Sequence, residues 1–328
     1  MKYIDLHCDS LTPGYFKGLS DIYAMENTNI NIQKLRQAEC KAQVFAVFFP
    51  ERGKDNPYFR FPGSFPPDME FFAGMRKLLM DTIDKHKEEM CLAVNAAQLR
   101  EAEQKGKLAA FLTMEDGRAL EGSLDQLEYF WNQGVRLITL TWNGENWLGS
   151  PNSSDDSVMQ KGLKDFGRQA VERMNELGIL IDVSHLSDGG FYDVAAISRA
   201  PFIASHSNAR AIAPHQRNLT DDMIRILGER QGVAGLNFYS CFLTEDKSEG
   251  KSEIQDMVRN AMYLFQKGGE DILAIGTDYD GFRGGCEIDS PLEMFRLFDA
   301  LKKAGLSERQ IEKAAWKNAE RVIESVCG

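Results

Sequence analysis

The chain has 328 residues, of which 43% are hydrophobic and 27% are charged. These fractions are ordinary for a folded globular protein and exclude a mainly disordered chain. The formal net charge of −11 argues against nucleic acid or an anionic membrane surface as a partner, because both bind a clustered positive field.

Six cysteines are spread along the chain without a C-x-x-C pair, at a density far below that of a disulfide scaffold. The first residues, MKYIDLHCDS, contain no apolar run of signal-peptide length. No stretch approaches the roughly 18 apolar residues that a membrane span needs. We therefore expect a cytoplasmic protein with free thiols and no membrane partner.

Short apolar runs rich in β-branched residues recur along the chain, and helical or loop sequence separates them. Runs that are apolar at nearly every position are typical of parallel strands buried on both faces. We predict eight strands, at residues 3–9, 42–49, 108–116, 135–142, 178–185, 201–206, 232–239 and 272–280.

Amphipathic segments between these runs predict helices, the clearest at residues 69–89, 165–178, 221–232 and 307–326. Gly178 is placed to end the second helix, and Ser307 with Gln310 forms the capping-box pattern of the last. Strands that alternate with helices predict an α/β fold, a (β/α)8 TIM barrel that forms one domain over residues 1–328. A doubly wound open sheet is the alternative, although no G-x-G-x-x-G or P-loop follows any strand.

Residues 50–68 interrupt this pattern and contain five of the ten prolines of the chain. Prolines at this density exclude a regular helix. Because the segment follows the second strand, we place it as a long loop on the C-terminal face of the barrel. It is either a surface loop packed by its own aromatic side chains, or a pocket wall or dimer contact.

Polar side chains end five of the predicted strands. In a barrel these ends meet at one mouth, where catalytic groups lie. A histidine or a carboxylate is costly to bury there unless it is paired or binds a metal. The residues are His7, Asp9, Glu115, His185, His206 and Asp278. Each alone has an ordinary explanation, such as a hydrogen-bonded histidine or a helix N-cap, but their joint occurrence predicts a metal centre.

The ligand types predict which centre this is. Three imidazoles and three carboxylates are too many for one tetrahedral zinc ion, and they fit two divalent ions bridged by a carboxylate and a hydroxide. The charges of two such ions, three carboxylates and one hydroxide sum to zero. Zinc is favoured, and manganese, cobalt or iron fit the same ligands. Such a pair would bring the pKa of a bridging water to about 7, for attack on a carbonyl or phosphoryl centre.

The chain resembles the membrane dipeptidase (renal dipeptidase) family of the amidohydrolase superfamily. The similarity rests on DLHCD, MEDG, VRLITLTWN, IDVSH, PFIASHSNARAIAPHQRNLTDD, GLNFY, IGTDYDG and KNAERV, which span nearly the whole chain in the family's order. The resemblance implies a metal-dependent hydrolase of the soluble bacterial type. Its substrates would be dipeptides, including L-Xaa-D-Xaa, and it would form homodimers.

The resemblance also implies roles for individual residues. Metal ligands would be His7 and Asp9 at the first ion, His185 and His206 at the second, and Glu115 between them. Asp278 would lie by the first ion and transfer protons, first as a base toward the attacking water and then as an acid toward the leaving amine. Arg217 would bind the C-terminal carboxylate of the substrate in a bidentate pair, and Tyr239 would join the substrate-binding residues.

One position departs from the family. Well-studied animal members have a histidine after the LT of the fourth strand, where this chain has Trp142. An indole donates one hydrogen bond and cannot carry a charge, which affects oxyanion stabilisation and substrate range more than the metal centre. Trp142 would still contact substrate, and His215 is our candidate for the missing imidazole. His86, in a charged helix end, is expected to be solvated.

Two other functions stay open at this stage. The same centre would suit hydrolysis of an N-acyl amino acid, a lactone or a phosphoester. The other alternative is a barrel that binds a ligand without catalysis, but a full ligand set with an acid–base group argues against it.

Overall fold

Nine parallel strands form one sheet in the computed structural model, which describes residues 1–50, 65–245 and 250–328. They are β1 (Tyr3–Cys8), β2 (Cys40–Phe48), β3 (Met90–Leu92), β4 (Leu108–Glu115), β5 (Val135–Thr139), β6 (Leu180–Asp182), β7 (Ile203–Ala204), β8 (Val233–Leu236) and β9 (Leu273–Ile275). The sequence predicted all of them except β3.

Eight of these strands close into a barrel. β2 is hydrogen-bonded to β1 on one edge and to β4 on the other, and β1 also pairs with β9. From β5 to β9, each strand pairs with the next along the chain. The closed ring confirms the predicted α/β (β/α)8 barrel. It excludes a doubly wound open sheet, which would leave two edge strands.

β3 lies outside the closed ring. It pairs with the start of β4 as far as Ala110, and β5 takes the same edge from Leu112 onward. Of its three residues only Met90 is buried. This strand therefore lacks the long apolar run by which the others are predicted.

Helices surround the barrel in the described ranges. They are α1 (Leu11–Phe16), α2 (Ile32–Gln37), α3 (Asp68–Lys85), α4 (Ala96–Gln104), α5 (Leu124–Asn132), α6 (Asp156–Met159), α7 (Asp165–Leu177), α8 (Asp188–Ile197), α9 (Asp221–Glu229), α10 (Ser240–Leu243), α11 (Ile254–Gly268), α12 (Met294–Lys303), α13 (Glu308–Glu312) and α14 (Asn318–Cys327). Gly178 ends α7 with a φ of 68°, and Ser307 with Gln310 forms the capping box of α13, as predicted. A π-helical turn at Lys313–Lys317 divides the helix predicted over 307–326.

Apolar side chains fill the part of the barrel nearest the N-terminal ends of the strands. Ile4, Val44 and Phe111, from three different strands, belong to one buried cluster that also includes Val322 and Ile323 of α14. Helix α14 therefore packs against the N-terminal end of the barrel. This leaves the C-terminal end as the place where polar side chains can meet.

Most of the predicted loop at 50–68 lies outside the described residues, because residues 51–64 are among those not described. Its place on the C-terminal face and its role as a pocket wall or dimer contact stay predictions. The assignment of 1–328 to one domain also stays a prediction.

Candidate metal centre and substrate pocket

The first group of predicted ligands meets where β1 and β4 end. His7 Nε2 lies 3.6 Å from Asp9 Oδ2 and 3.5 Å from Glu115 Oε2. Asp278 follows β9, and its Oδ1 is 4.0 Å from the same nitrogen of His7. Three carboxylates therefore surround one imidazole nitrogen.

The second group lies on the other side of Glu115. Glu115 Oε1 is 3.0 Å from His185 Nε2 and 3.5 Å from His206 Nε2. The two histidine Nε2 atoms are 3.1 Å apart. Glu115 thus stands between the two groups, with one carboxylate oxygen toward each. We call the six residues of both groups the floor of the site.

Two floor residues, His185 and Asp278, each lie three residues beyond the end of a strand, in turns of the backbone. His185 has a φ of 66° and Asp278 a φ of 61°, both outside the extended region. β6 therefore ends at Asp182 and β9 at Ile275, rather than continuing to residues 185 and 280 as predicted. The turns direct these side chains inward over the barrel.

The floor concentrates charge in a buried place. All six of its residues are at most 9% exposed. Burial raises the pKa of Glu115 to about 8, and the charge of Asp9 adds to this while His7 opposes it. Burial likewise raises the pKa of Asp278 to about 6. Carboxylates that are this costly to ionise by themselves are stabilised by cations between them.

The histidines of the floor differ in charge. Burial lowers the pKa of both His185 and His206 well below the usual value, and the positive charges of Arg217 and His7 add to the effect. Burial also opposes a charge on His7, but Glu115 and Asp9 outweigh it and raise its pKa well above the usual value. At neutral pH the pair His185 and His206 is thus already in the neutral form that ligates a metal.

The polar atoms of the floor fit divalent metal ions. His7 Nδ1 and Nε2 and Asp9 Oδ1 are buried without a hydrogen-bond partner among the described residues, which is rare for buried polar atoms. Ligand atoms of His7, Glu115 and His206 all lie within 4.8 Å of one another, and so do those of His7, Asp9 and Asp278. Imidazole and carboxylate donors without thiolate suit zinc and similar ions.

The backbone passes close to two carboxylates of the floor. Gly281 follows the β9 turn, and a Cβ atom at this position would collide with the carboxylate oxygens of Asp9 and Asp278. Glycine is therefore the residue that allows the chain to approach these two carboxylates closely.

Three neighbouring polar side chains hold floor residues in place, and the sequence reasoning missed all of them. Asn143 Oδ1 is 3.2 Å from His185 Nδ1. Ser205 Oγ is 2.7 Å from His206 Nδ1. Asn237 Nδ2 donates to Asp278 Oδ2 at 2.9 Å. Each of the three belongs to a motif that carries the family resemblance (LTWN, ASHS and GLNFY), and that was the available signal.

A cavity of about 460 Å³ opens above the floor. Four predicted substrate-binding residues line it together with Asp9, Glu115, His185 and Asp278. We call these four the wall of the site: Trp142, His215, Arg217 and Tyr239. The structure therefore brings every predicted site residue to one small-molecule-sized pocket, apart from the deeper floor residues His7 and His206.

Arg217 is buried in the wall at 6% exposure. One terminal nitrogen donates to Ser207 Oγ at 3.2 Å and the other to the His206 carbonyl at 3.3 Å. Its Nε has no hydrogen-bond partner among the described residues. The guanidinium lies 5.2 Å from the centre of the Phe242 ring, which packs against it. Such a held cation with a donor to spare suits an anionic group of a ligand.

His215 contacts Arg217 directly. Its Nδ1 accepts a hydrogen bond from the backbone N–H of Arg217 at 3.1 Å, so in the neutral ring the proton lies on Nε2. The ring also packs against Phe242, with centroids 4.7 Å apart.

The aromatic side chains of the wall make edge and stacking contacts. Trp142 meets the ring of Phe48 edge-on at 4.7 Å, and its centroid lies 6.2 Å from that of His185. Tyr239 stacks on Phe282 with centroids 5.4 Å apart. Trp142 thus occupies the cavity beside the floor, where it limits the space for substrate.

His86, which we expected to be solvated, is only partly so, with 23% of its side chain exposed. Its Nε2 lies 2.9 Å from Asp21 Oδ2, and its ring stacks on Tyr23 with centroids 3.9 Å apart. The charged sequence around it hid this partner, since Asp21 is 65 residues away along the chain.

Within the described ranges, none of the helices combines the length and the apolar character that a bilayer crossing requires.

Comparison with known proteins places this chain in a family. The family model of the membrane dipeptidases, peptidase family M19, matches residues 1–327. A Klebsiella pneumoniae protein described as uncharacterized in the pqqA 5′ region is 33% identical over 242 residues, which cover 72% of this chain and 88% of that protein.

Two solved structures share the fold and about a quarter of the sequence. The dipeptidase AC, a metallopeptidase of family M19, superposes with a TM-score of 0.88 at 26% identity and covers 100% of this chain and 99% of its own. A Rhodobacter sphaeroides metallopeptidase bound to a phosphinate mimic of the dipeptide L-Ala-D-Ala gives the same TM-score and identity, with 99% of both chains covered. The chain therefore belongs to the membrane dipeptidase family, peptidase family M19, and is a hydrolase of this metallodipeptidase family.

Proposed function

We propose that this protein is a dipeptidase that holds two divalent metal ions, zinc being the favoured one, and that its substrates include L-Xaa-D-Xaa dipeptides. The observation that carries the proposal is the position of Glu115. One of its oxygens faces His7 at 3.5 Å, and the other faces His185 at 3.0 Å. A carboxylate between two sets of ligands suits a bridge between two ions.

Each floor residue has a place in this proposal. His7 and Asp9 would hold one ion, His185 and His206 the other, and Glu115 both. Divalent ions bound there would supply a Lewis acid that polarises the scissile carbonyl and lowers the pKa of a water nucleophile.

Arg217 orients the substrate. Its guanidinium lines the cavity and is held by Ser207 and the His206 carbonyl, and the N–H groups that these two contacts leave over would bind the C-terminal carboxylate of a dipeptide. A longer peptide would have an amide there and would leave this buried cation unpaired, at a cost of several kcal/mol. Arg217 would therefore favour substrates whose C-terminal carboxylate lies one residue beyond the scissile bond, as it does in a dipeptide.

Asp278 moves the proton. Asn237 holds its Oδ2, and its Oδ1 faces the floor. A carboxylate at this position can accept a proton from a water at the floor and give it to the leaving amine. The net result is one water added across the peptide bond, with a carboxylate and an amine as products.

The test is a hydrolysis assay on the full chain after reconstitution with zinc or manganese. The panel contains L-L and L-D dipeptides, the amide of one dipeptide, an N-acetyl amino acid, a lactone and a phosphotriester. We expect the dipeptides to be cleaved with a kcat/KM at least ten times that for every other compound. A preference for the acetylated amino acid, the lactone or the phosphotriester would assign another reaction to the same centre. Fewer than one bound ion per chain and no hydrolysis would favour a binding protein.

The homodimer stays a prediction, which light scattering on the same sample tests.

The L-D dipeptides are included because a relative binds such a compound. The Rhodobacter sphaeroides metallopeptidase is liganded with a mimic of L-Ala-D-Ala. Equal or faster cleavage of L-Ala-D-Ala than of L-Ala-L-Ala would support the same tolerance here.

A further inference from the structure

A chain of three buried polar side chains lies beneath one side of the floor. Ser205 Oγ is 2.6 Å from Asp182 Oδ2 and 2.7 Å from His206 Nδ1. All three residues are fully buried. Asp182 is not part of the cavity and has no role in the function proposed above.

The direction of these hydrogen bonds is set by Asp182. Its Oδ1 accepts from the backbone N–H groups of Ser184 at 3.0 Å and Ser205 at 2.8 Å. Its Oδ2 accepts from Thr139 Oγ1 at 2.7 Å and from Ser205 Oγ. A carboxylate has no hydrogen to donate, so the single hydroxyl hydrogen of Ser205 is committed to Asp182.

The consequence falls on His206. With its hydrogen committed, the Ser205 hydroxyl can only accept at its two other contacts, Ser184 Oγ at 3.4 Å and His206 Nδ1 at 2.7 Å, so His206 Nδ1 must donate. The neutral imidazole then carries its proton on Nδ1 and its lone pair on Nε2. Nε2 is the atom that lies 3.5 Å from Glu115 Oε1 in the floor.

We infer that Asp182 and Ser205 are positioning residues that fix the tautomer of His206, so that Nε2 is ready to bind the metal ion. This inference rests on the proposed function, because it takes His206 as a metal ligand. Hydrogen bonds to the second nitrogen of a ligating histidine commonly set its tautomer and orientation.

The packing around Ser205 keeps this chain of hydrogen bonds in place. A Cβ atom at Gly235 of β8 or at Gly276 after β9 would collide with the Ser205 carbonyl oxygen. These two glycines let the neighbouring strands close tightly on the Ser205 backbone. The Ser205 backbone, which carries the hydroxyl, is therefore held in place between them.

The substitution Asp182→Asn tests the inference because it reverses the hydrogen bonds without changing the shape. The two backbone N–H groups require an acceptor, so the Asn oxygen takes the Oδ1 position and the NH2 group takes the Oδ2 position. That NH2 donates to Ser205, whose hydrogen then turns toward His206 Nδ1. We expect the proton of His206 to move to Nε2, the wrong nitrogen for metal binding.

The first measurement is long-range 1H–15N NMR on the metal-free full chain with labelled histidine. We expect the Nδ1–H tautomer of His206 in the wild type, the Nε2–H tautomer in D182N, and a mixture in Ser205→Ala. The second measurement is a zinc titration against a competing chelator. We expect the ion bound by His206 to be held about 10- to 100-fold more weakly in D182N and S205A.

Ser184→Ala is the matched control. Its hydroxyl is equally buried, accepts from the backbone N–H of His206 at 3.2 Å and lies 3.4 Å from Ser205 Oγ, but it contacts neither the Asp182 carboxylate nor the imidazole nitrogens. The substitution therefore removes a neighbour of Ser205 and leaves the Ser205–Asp182 hydrogen bond in place. We expect S184A to have the wild-type tautomer and a zinc affinity within about threefold of the wild type. The hydrogen bonds that it loses are long, and a weak hydrogen bond contributes little free energy.

Two results would overturn the inference. One is a wild-type His206 that carries its proton on Nε2. The other is a folded D182N or S205A with the wild-type tautomer and zinc affinity. If D182N does not fold, the wild-type spectrum and S205A still decide. A wild type that binds zinc but cleaves no dipeptide would contradict the proposed function and leave the tautomer result standing.

Discussion

The floor and the wall of the site are built in different ways. Floor residues lie in strands or within three residues of a strand end, so the barrel itself fixes their positions. Wall residues lie on the loops that follow β5, β7 and β8, and contacts between side chains position them, such as that of Arg217 with Phe242. The floor gathers three buried carboxylates around His7 Nε2. The wall instead presents an indole, an imidazole, a guanidinium and a phenol to the cavity.

Of the substitutions considered, Glu115→Gln in the floor should have the largest effect on metal content and activity. An amide nitrogen cannot replace the carboxylate oxygen, so both groups of ligands lose the residue between them. We expect less than one ion per chain after reconstitution. The kcat/KM for a good dipeptide should fall by about 10³-fold or more, because several kcal/mol of transition-state stabilisation depends on the ions.

The control for this experiment is Glu128→Gln, which removes a surface carboxylate paired with Arg173. Its metal content and activity should equal those of the wild type. An E115Q variant that keeps two ions and a tenth of the activity would show that Glu115 is not the bridge.

Asp278→Asn tests the floor residue that is proposed to move protons. Asparagine keeps the size and one oxygen but cannot accept the proton, and we expect kcat to fall by about 10³-fold. Metal content is measured on the same samples, because Asp278 also lies near the first group of ligands. A variant with full metal content and a loss of less than about tenfold in kcat would remove the proton-transfer role. Asp271→Asn, on the surface, is the control.

The floor could be predicted from the sequence because each of its residues interrupts or ends a run of apolar residues. A buried strand can be recognised in the sequence as a run of apolar residues, and a charged residue at the end of such a run is easy to identify. The limits of the strands were less predictable. Nothing in the sequence around His185 and Asp278 indicates the positive φ at which each strand turns away.

Residues that act through a floor residue could not be predicted in this way. Asp182 and Ser205 are ordinary polar residues in sequence, and only the pairing of β6 with β7 shows that they meet. Asn143 and Asn237 likewise gain meaning from the ligand that each one holds. Such partners are set by tertiary contacts, which periodicity and spacing do not contain.

Arg217→Lys tests the wall residue that is proposed to bind the substrate carboxylate. Lysine keeps the charge but cannot present two parallel donors, and it would lose the contacts to Ser207 and the His206 carbonyl. We expect kcat/KM for dipeptides to fall between about 10²- and 10³-fold, mainly through KM, while metal content stays unchanged. For a dipeptide amide, which lacks the carboxylate, we expect a change below about threefold.

Arg210→Lys is the matched control for that variant. Its guanidinium belongs to the same loop and is already paired with both oxygens of Asp188. It should leave the ratio of dipeptide to dipeptide-amide hydrolysis unchanged. An equal loss on the two substrates in R217K would mean that Arg217 supports the loop rather than the substrate carboxylate.

His215→Ala gives the smallest expected effect and is the sharpest test of the wall. Because His215 Nδ1 accepts from the Arg217 backbone, the proton of its neutral ring lies on Nε2, where it would donate to an oxyanion. Losing one such donor should lower kcat/KM by about 10²-fold, with metal content and KM little changed. His86→Ala, which removes an imidazole outside the cavity, is the control. A loss below about threefold in H215A would leave the oxyanion to the metal ions alone, and the wall would then serve substrate binding without taking part in the chemistry.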